Sequence, residues 1–349
     1  MRDERAASRR DFLKNCIAGA FGLAAADNSL PFHAAEWATP TTGSKVVVAR
    51  DAQLRGSPAG ALVDSRRVLE LLDRAMQTLF DCDVPTHAWM QVVHPGQRVA
   101  LKVNTLGGRG MSSNVQLVEA ICERLQIAGI RPEDIVIFDR DSTEMERAGF
   151  RIQTGGARVQ CFGTDRAGFE GGLSSFGCVG SQLSKILTQH CEVLINVPVL
   201  KDHDGAGVSI ALKNMYGVIH NPNKYHPNGC NPYVADVNML PEIRSKLQLH
   251  ICDATSACYE GGPAFKPEFA WHANTLMISR DPVALDYSGW QAIERKRAEK
   301  GVKTLEADGR APRYIATAAD AEHRLGTNDP RRIVLVGIAL DVKEVSHVD

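Results

Sequence analysis

The sequence predicts an α/β fold: a mostly parallel sheet with helices on both faces and a glycine-rich insertion. Three observations carry that expectation. From Lys45 onward, short apolar runs of strand length alternate with stretches of helical period. That alternation is the mark of parallel strands joined by crossover helices. Residues 98–139 contain a complete strand, helix and strand of the usual size, which predicts a right-handed crossover and a parallel pair. The composition, 44% hydrophobic and 23% charged, is that of an ordinary globule with enough apolar mass for a core covered on both sides.

The elements follow in order. Lys45–Ala49 reads as a strand. Asp64–Phe80 reads as a helix, because Val68, Leu71, Leu72, Ala75, Met76 and Leu79 form one stripe. Arg98–Asn104 is the next strand, Asn114–Ala128 a helix with Asn114 as its N-cap, and Ile135–Asp139 the strand after it. Further strands are expected at Val193–Val197, Leu247–Cys252, Leu276–Ser279 and Ile333–Val336. Helices are expected at Val208–Gly217, Asp236–Lys246 and Pro282–Lys300. Residues 150–185 carry eight glycines and no clear period, as a lid, a β-insertion or a surface excursion would.

The N-terminus has a different character. Ser8-Arg9-Arg10-Asp11-Phe12-Leu13-Lys14 precedes a short apolar run from Cys16 to Ala26. An arginine pair, a short apolar run and a small-x-small pattern at Ala24 and Ala26 read as a twin-arginine signal, cleaved near Asp27. The run is shorter than the roughly 20 apolar residues of a spanning helix. The expected organisation is a signal peptide over 1–26, a linker over 27–44 and one α/β domain over 45–340, with the 150–185 insertion inside it. The expected location is periplasmic or otherwise exported. The expected partners are the twin-arginine export machinery and a small anionic ligand, with no membrane span in the mature chain.

A formal net charge of -1 supports neither nucleic-acid binding nor a polybasic membrane surface. The nine cysteines include no Cys-x-x-Cys pair, so iron–sulfur and zinc-ribbon spacing is missing. Cys122 and Cys252 fall in apolar periodic runs and are expected as buried thiols.

In an open parallel sheet, ligands bind beyond the carboxyl ends of the strands. Lys102 and Asn104 share one face at the end of their strand. The next strand ends in Asp139-Arg140-Asp141-Ser142, another leads into Lys201-Asp202-His203-Asp204, and a further one ends at Asp253. Over 205–220, Ser209, Lys213 and Tyr216 fall on one side of the expected helix. Small residues at its start would let first-turn N–H groups meet an anion, with Lys213 adding a charge. Gly107-Gly108-Arg109-Gly110 is a second place where an anion could be cradled. His203, His220 and His226 are the candidate ligands for a divalent transition metal, although no His-x-x-x-His spacing accompanies them.

Four segments then carry a resemblance: Val-Ala-Leu-Lys-Val-Asn at 99–104, Leu-Ile-Asn-Val-Pro-Val-Leu-Lys-Asp-His at 194–203, Ala-Leu-Lys-Asn-Met-Tyr-Gly-Val-Ile at 211–219 and Asp-Pro-Val-Ala-Leu-Asp at 281–286. Together they resemble the family of the domain of unknown function 362 over roughly residues 45–340. The resemblance implies that Lys102, Asn104, Lys201, His203, Lys213 and Asn214 belong to shared motifs. Many members of that family carry a ferredoxin-like cluster domain or its cysteine motif; this sequence departs from them in having none.

The expected function is an exported enzyme acting on an anionic, carboxylate-type small molecule, with or without a metal. His203, Asp253 and Lys213 are its expected catalytic residues, and Lys102, Asn104, Lys201, Asn214 and Ser209 its ligand-binding residues. Lysines would neutralise the ligand and stabilise a developing oxyanion, and histidine would carry a proton. Isomerase, lyase and hydrolase chemistry fit equally. Two alternatives stand beside it: a non-catalytic periplasmic anion- or metal-binding protein, and an assembly partner of another exported protein.

Overall fold

Each central strand buries both of its faces, and this decides the architecture. Val99, Leu101, Ile135, Ile137, Val193, Ile195, Leu249 and Ile251 pack into one apolar cluster. Their sequence neighbours Ala100, Val136, Phe138, Leu194 and Cys252 pack into a second. The two-residue period of a strand sends alternate side chains to opposite faces, so an apolar sheet needs cover on both.

The computed structural model describes residues 43–55 and 62–340. Its strands are β1 (Ser44–Arg50), β2 (Val99–Lys102), β3 (Ile135–Phe138), β4 (Gln160–Cys161), β5 (Ser174–Phe176), β6 (Val179–Ser181), β7 (Val193–Asn196), β8 (Val199–His203), β9 (Gly207–Ser209), β10 (Leu247–Cys258), β11 (Ala270–Trp271), β12 (Thr275–Ser279) and β13 (Ile333–Ala339). The long helices are α1 (Ser65–Phe80), α2 (Val115–Ile127) and α3 (Pro282–Glu299). The signal peptide and most of the linker expected from the sequence lie outside the described residues.

The main sheet runs β13-β1-β12-β10-β7-β2-β3-β4, and in it only β12 is reversed. The fold is the expected α/β class. Strand β2 is the switch point: the chain leaves it toward β3 and β4 on one side and toward β7 and β10 on the other. α1 and α2 cover the face carrying Leu101 and Ile195, whereas α3 covers the face carrying Ala100 and Leu194.

Local signals set the helix ends. Asp64 accepts from Arg67 N, and Asn114 accepts from Gln116 N and Leu117 N, each at an N-cap. Asp281 does the same for α3, accepting from Val283 N and Ala284 N ahead of Pro282. The stripe expected on α1, Val68 to Leu79, is buried throughout.

Three expectations need correction. The helix expected over 208–217 begins as a strand: β9 pairs antiparallel with β8, placing Ser209 opposite Lys201. Gly207, at φ 82°, turns the chain there, and the helix that follows spans only Ala211–Asn214. The helix expected over 236–246 is two short ones, Tyr233–Asn238 and Pro241–Arg244. Pro241 cannot donate a helical hydrogen bond, so it starts the second instead of continuing the first. β10 outruns its expected end at Cys252 by six residues, because beyond Asp253 it pairs with β8 and β11.

The glycine-rich stretch is part of the domain. It supplies β4 at the sheet edge and the hairpin β5–β6, whose Gly180 N and O both bond the Tyr225 hydroxyl. All eight cysteines in the described residues are free thiols, with Cys122 and Cys252 buried as expected. Among the described residues, no helix is long and apolar enough to cross a membrane.

Candidate functional site

At the carboxyl ends of β2 and β3, beside the switch point, lies a cavity of about 430 Å³. Lys102 enters it from the end of β2, and Asn104 from two residues beyond. Asp139 and Arg140 follow β3. Lys201 and His203 come from β8, and Ser209 from β9. Lys213, Asn214 and Tyr216 come from the short helical turns after β9, and His226 from the loop beyond. The structure therefore brings together Lys102, Asn104, Lys201, His203, Ser209, Lys213, Asn214 and His226.

The three lysines are buried in different company. Lys102, 1% exposed, ion-pairs with Asp139 at 2.6 Å and also donates to Val103 O at 2.7 Å. Gly217 packs over this pair; a Cβ at that position would lie 2.4 Å from Lys102 Cε and 2.8 Å from Asp139 Oδ1. The glycine of the Lys-Asn-Met-Tyr-Gly motif thus has a steric cause. Asp139 in turn accepts from Thr105 N and Oγ1, which fixes the loop leaving β2.

Lys201 donates to Asn104 Oδ1 at 2.8 Å. Burial pushes its pKa down to about 8. Lys213 lies 3.2 Å from His226 Nε2 and 4.3 Å from the centre of the Tyr216 ring. Burial lowers its pKa as well. Of the three, only Lys102 has a carboxylate within ion-pair distance among the described residues.

The two histidines have defined tautomers. His203 Nδ1 accepts from Gly205 N at 3.1 Å and Ala206 N at 3.2 Å, and the Asp204 carboxylate 3.0 Å from Nδ1 shares that Gly205 N–H, so the two inward-pointing N–H groups leave the ring proton on Nε2. Burial, then the charge of Lys213, drives its pKa down to about 2, and the ring is neutral. His226 Nδ1 lies 3.1 Å from Pro222 O, a carbonyl that only accepts, so His226 carries its proton on Nδ1 and a lone pair on Nε2. The rings stack with centroids 5.7 Å apart. On the rim stand Arg140, Asp204 and Glu144, the last with its pKa raised by burial and then by Asp139.

Several expected residues take other roles. Asp253 does not line the cavity. It is buried, and its carboxylate accepts from Asn114 N at 2.6 Å and Thr255 N at 2.8 Å, anchoring the start of α2. His220 stands apart from His203 and His226, with its ring edge-on to Phe169. Among the described residues, no group of three or more His, Cys, Asp or Glu side chains is placed to hold a metal ion. The N–H groups expected to cradle an anion at the start of the 211–214 helix are already occupied. Ala211 N donates to Asp286 Oδ1 at 2.7 Å, and Leu212 N reaches the same carboxyl group. The Gly107–Gly110 stretch does not line the cavity. It is a tight turn whose Gly110 sits against the Phe265 ring, and only Leu106 of that loop lines the cavity.

Two contributors escaped sequence reasoning. Asn196 links the site to the core by accepting from Asn214 Nδ2 at 2.7 Å and donating to His250 Nδ1 at 3.1 Å. Arg310, from a distant loop, holds Asp202 between Lys201 and His203 at 3.1 Å. Asn196 lay in plain view at a strand end, whereas nothing in the sequence connects Arg310 to β8.

A family model described as Domain of unknown function (DUF362) matches residues 99–291, an interval that contains every residue lining the cavity. No curated protein matches the chain. Among solved structures, the crystal structure of a protein from Thermotoga maritima aligns at 8% identity with a TM-score of 0.36, over 68% of this chain and 60% of that one. This chain thus spans about three fifths of that protein's length.

Proposed function

The chain belongs to the DUF362 family, and from that footing we propose that it is an exported enzyme acting on a small carboxylate-bearing molecule held in the lysine cavity. One observation carries the reading: Lys201 is a buried ammonium whose hydrogen-bond partner is an amide, with no carboxylate within ion-pair distance among the described residues. A buried charge is costly unless paired, and an anionic ligand would give Lys201 the close partner that Asp139 gives Lys102.

The chemistry divides among the lining residues. Lys201 neutralises the ligand carboxylate, and Asn104 holds the Lys201 ammonium in place. Lys213 and His226, 3.2 Å apart, form a pair between which one proton can move, and burial lowers the pKa of each so that the proton is loosely held. The Nε2–H of neutral His203 is a donor for a developing oxyanion. Proton transfer next to a carboxylate, in an isomerase or a lyase, uses all three. Export rests on the Arg9-Arg10 pattern and the apolar run after it.

The function is tested by isothermal titration of the full chain with succinate, malate, pyruvate and phosphate. At least one carboxylate should bind saturably, and Lys201→Met should weaken it at least tenfold. No heat from any of these anions would remove the reading. A chain that binds a carboxylate, yet neither exchanges its C–H protons with deuterated water nor converts it, is a carrier instead. Export is tested by fractionating cells that express Arg9→Lys with Arg10→Lys; the variant should stay in the cytoplasm as uncleaved precursor.

A further inference from the structure

We infer that Lys213 is a covalent catalyst whose side-chain nitrogen forms a Schiff base with the carbonyl carbon of a 2-oxo acid, while Lys201 holds that acid's carboxylate. This rests on the cavity being an anion site, as proposed above, and names the class of anion.

The three lysines of the cavity differ in what faces each nitrogen. Lys102 faces the Asp139 carboxylate at 2.6 Å and is neutralised as an ion pair. Lys201 faces the amide oxygen of Asn104, which offers no basic site, so its proton stays and its charge is left for a ligand. Lys213 faces the lone pair of His226 Nε2, since the proton of that ring is committed to Pro222 O. Lys213 thus faces a neutral imidazole whose lone pair can take an ammonium proton, with the Cys230 thiol as a second group within hydrogen-bond reach. It is 6% exposed, and burial lowers its pKa, the usual condition for an amine nucleophile.

The step balances without any oxidant or reductant. Lys213 passes a proton to His226, and its freed lone pair attacks the ketone carbon. The C–N bond forms as the C=O π pair moves to oxygen. Two protons originally on the ammonium end on that oxygen, which leaves as water, and the C=N iminium retains one positive charge. His203, with its proton on Nε2, is the donor the cavity offers to the oxygen during attack. The Tyr216 ring, 4.3 Å from Lys213 Nζ, faces the iminium cation with its negative π surface. An iminium beside a carboxylate draws electrons from the neighbouring C–C and C–H bonds, which suits lyase or isomerase chemistry. Water reverses the linkage and frees the product.

The test is reductive trapping on the full chain. Pyruvate and 2-oxoglutarate are each added with sodium borohydride, and the digested protein is mapped by mass spectrometry. One reduced adduct per chain on the peptide bearing Lys213 is expected with at least one of the two acids. Lys201→Met should lower its yield at least tenfold, and Lys213→Gln, shown folded by circular dichroism, should lose it. An adduct on other lysines with none on Lys213 overturns the inference from the wild-type protein alone, whatever the variants do. Saturable heat of binding from either acid with no adduct also overturns it, yet leaves the anion reading standing. Silence toward every carboxylate and phosphate in titration and trapping removes both.

Discussion

Lys201 Nζ donates to Asn104 Oδ1 at 2.8 Å, and this contact starts a one-way chain of amides. Asn104 Nδ2 donates to Asn214 Oδ1 at 3.0 Å, Asn214 Nδ2 to Asn196 Oδ1 at 2.7 Å, and Asn196 Nδ2 to His250 Nδ1 at 3.1 Å. Every amide turns its oxygen toward the lysine, so the dipoles together favour the charged ammonium against the burial that opposes it. The chain ends on a neutral histidine, whose pKa burial drives down to about 3.

Asn104→Ala is therefore expected to release part of this support. The pKa of Lys201 should fall further, and carboxylate affinity should drop several-fold at pH 7 with a steeper loss above it. Titration calorimetry between pH 6 and 9 reads both effects. An affinity independent of pH across that range would contradict the amide chain as the source of the charge.

Gly217→Ala places a methyl group against the Lys102–Asp139 ion pair in a space that has no room for it. Overpacking of this kind costs about 1–3 kcal/mol. The midpoint of urea unfolding should fall accordingly with an unchanged slope, and carboxylate affinity should fall with it.

Asp286 supplies a pH dependence whose sign is clear. Burial pushes its pKa up to about 8. The Tyr314 hydroxyl, which donates to Val208 O at 3.0 Å, also reaches Asp286 Oδ2 at 3.5 Å, and together with the Ala211 and Leu212 N–H groups it opposes that rise without cancelling it. A folded state that binds the carboxyl proton more tightly than the unfolded state gains stability that is full below about pH 4 and lost as pH rises through 8. His250 and His203, with depressed values, act on the other side: their contribution is full above about pH 6.5 and is lost on acidification. The melting temperature should peak near neutrality and decline toward pH 8.5, and Asp286→Asn should flatten the alkaline limb. An alkaline limb as steep in the variant as in the wild type would rule out Asp286.

Asp253→Asn separates architecture from chemistry. Its carboxylate serves two backbone N–H groups and does not line the cavity. Losing a charged acceptor from a buried pair of hydrogen bonds costs about 1–3 kcal/mol. Thermal stability should fall while carboxylate affinity, measured on the folded variant, changes less than threefold. A loss of affinity with unchanged stability would return Asp253 to the site.

Residue order by itself determined the class of fold, because a strand buried on both faces and a helix with one apolar stripe leave periods of two and about 3.6 that survive without neighbours. The strands at 45–49, 135–139 and 276–279, the α1 stripe and the Asn114 cap were legible for that reason. The lysines and asparagines at strand ends were legible too, since a parallel sheet collects its strand ends along one rim. Tertiary structure alone decided what each polar group faces. The carboxyl group of Asp286 lies 75 residues from Ala211, whose N–H it fills, and Asp253 lies 139 residues from the Asn114 N–H it anchors. The same distance-blind choice gave Lys102 a carboxylate, Lys201 an amide and Lys213 an imidazole. A side chain's charge state is set by partners brought close by folding, and local sequence holds no record of them.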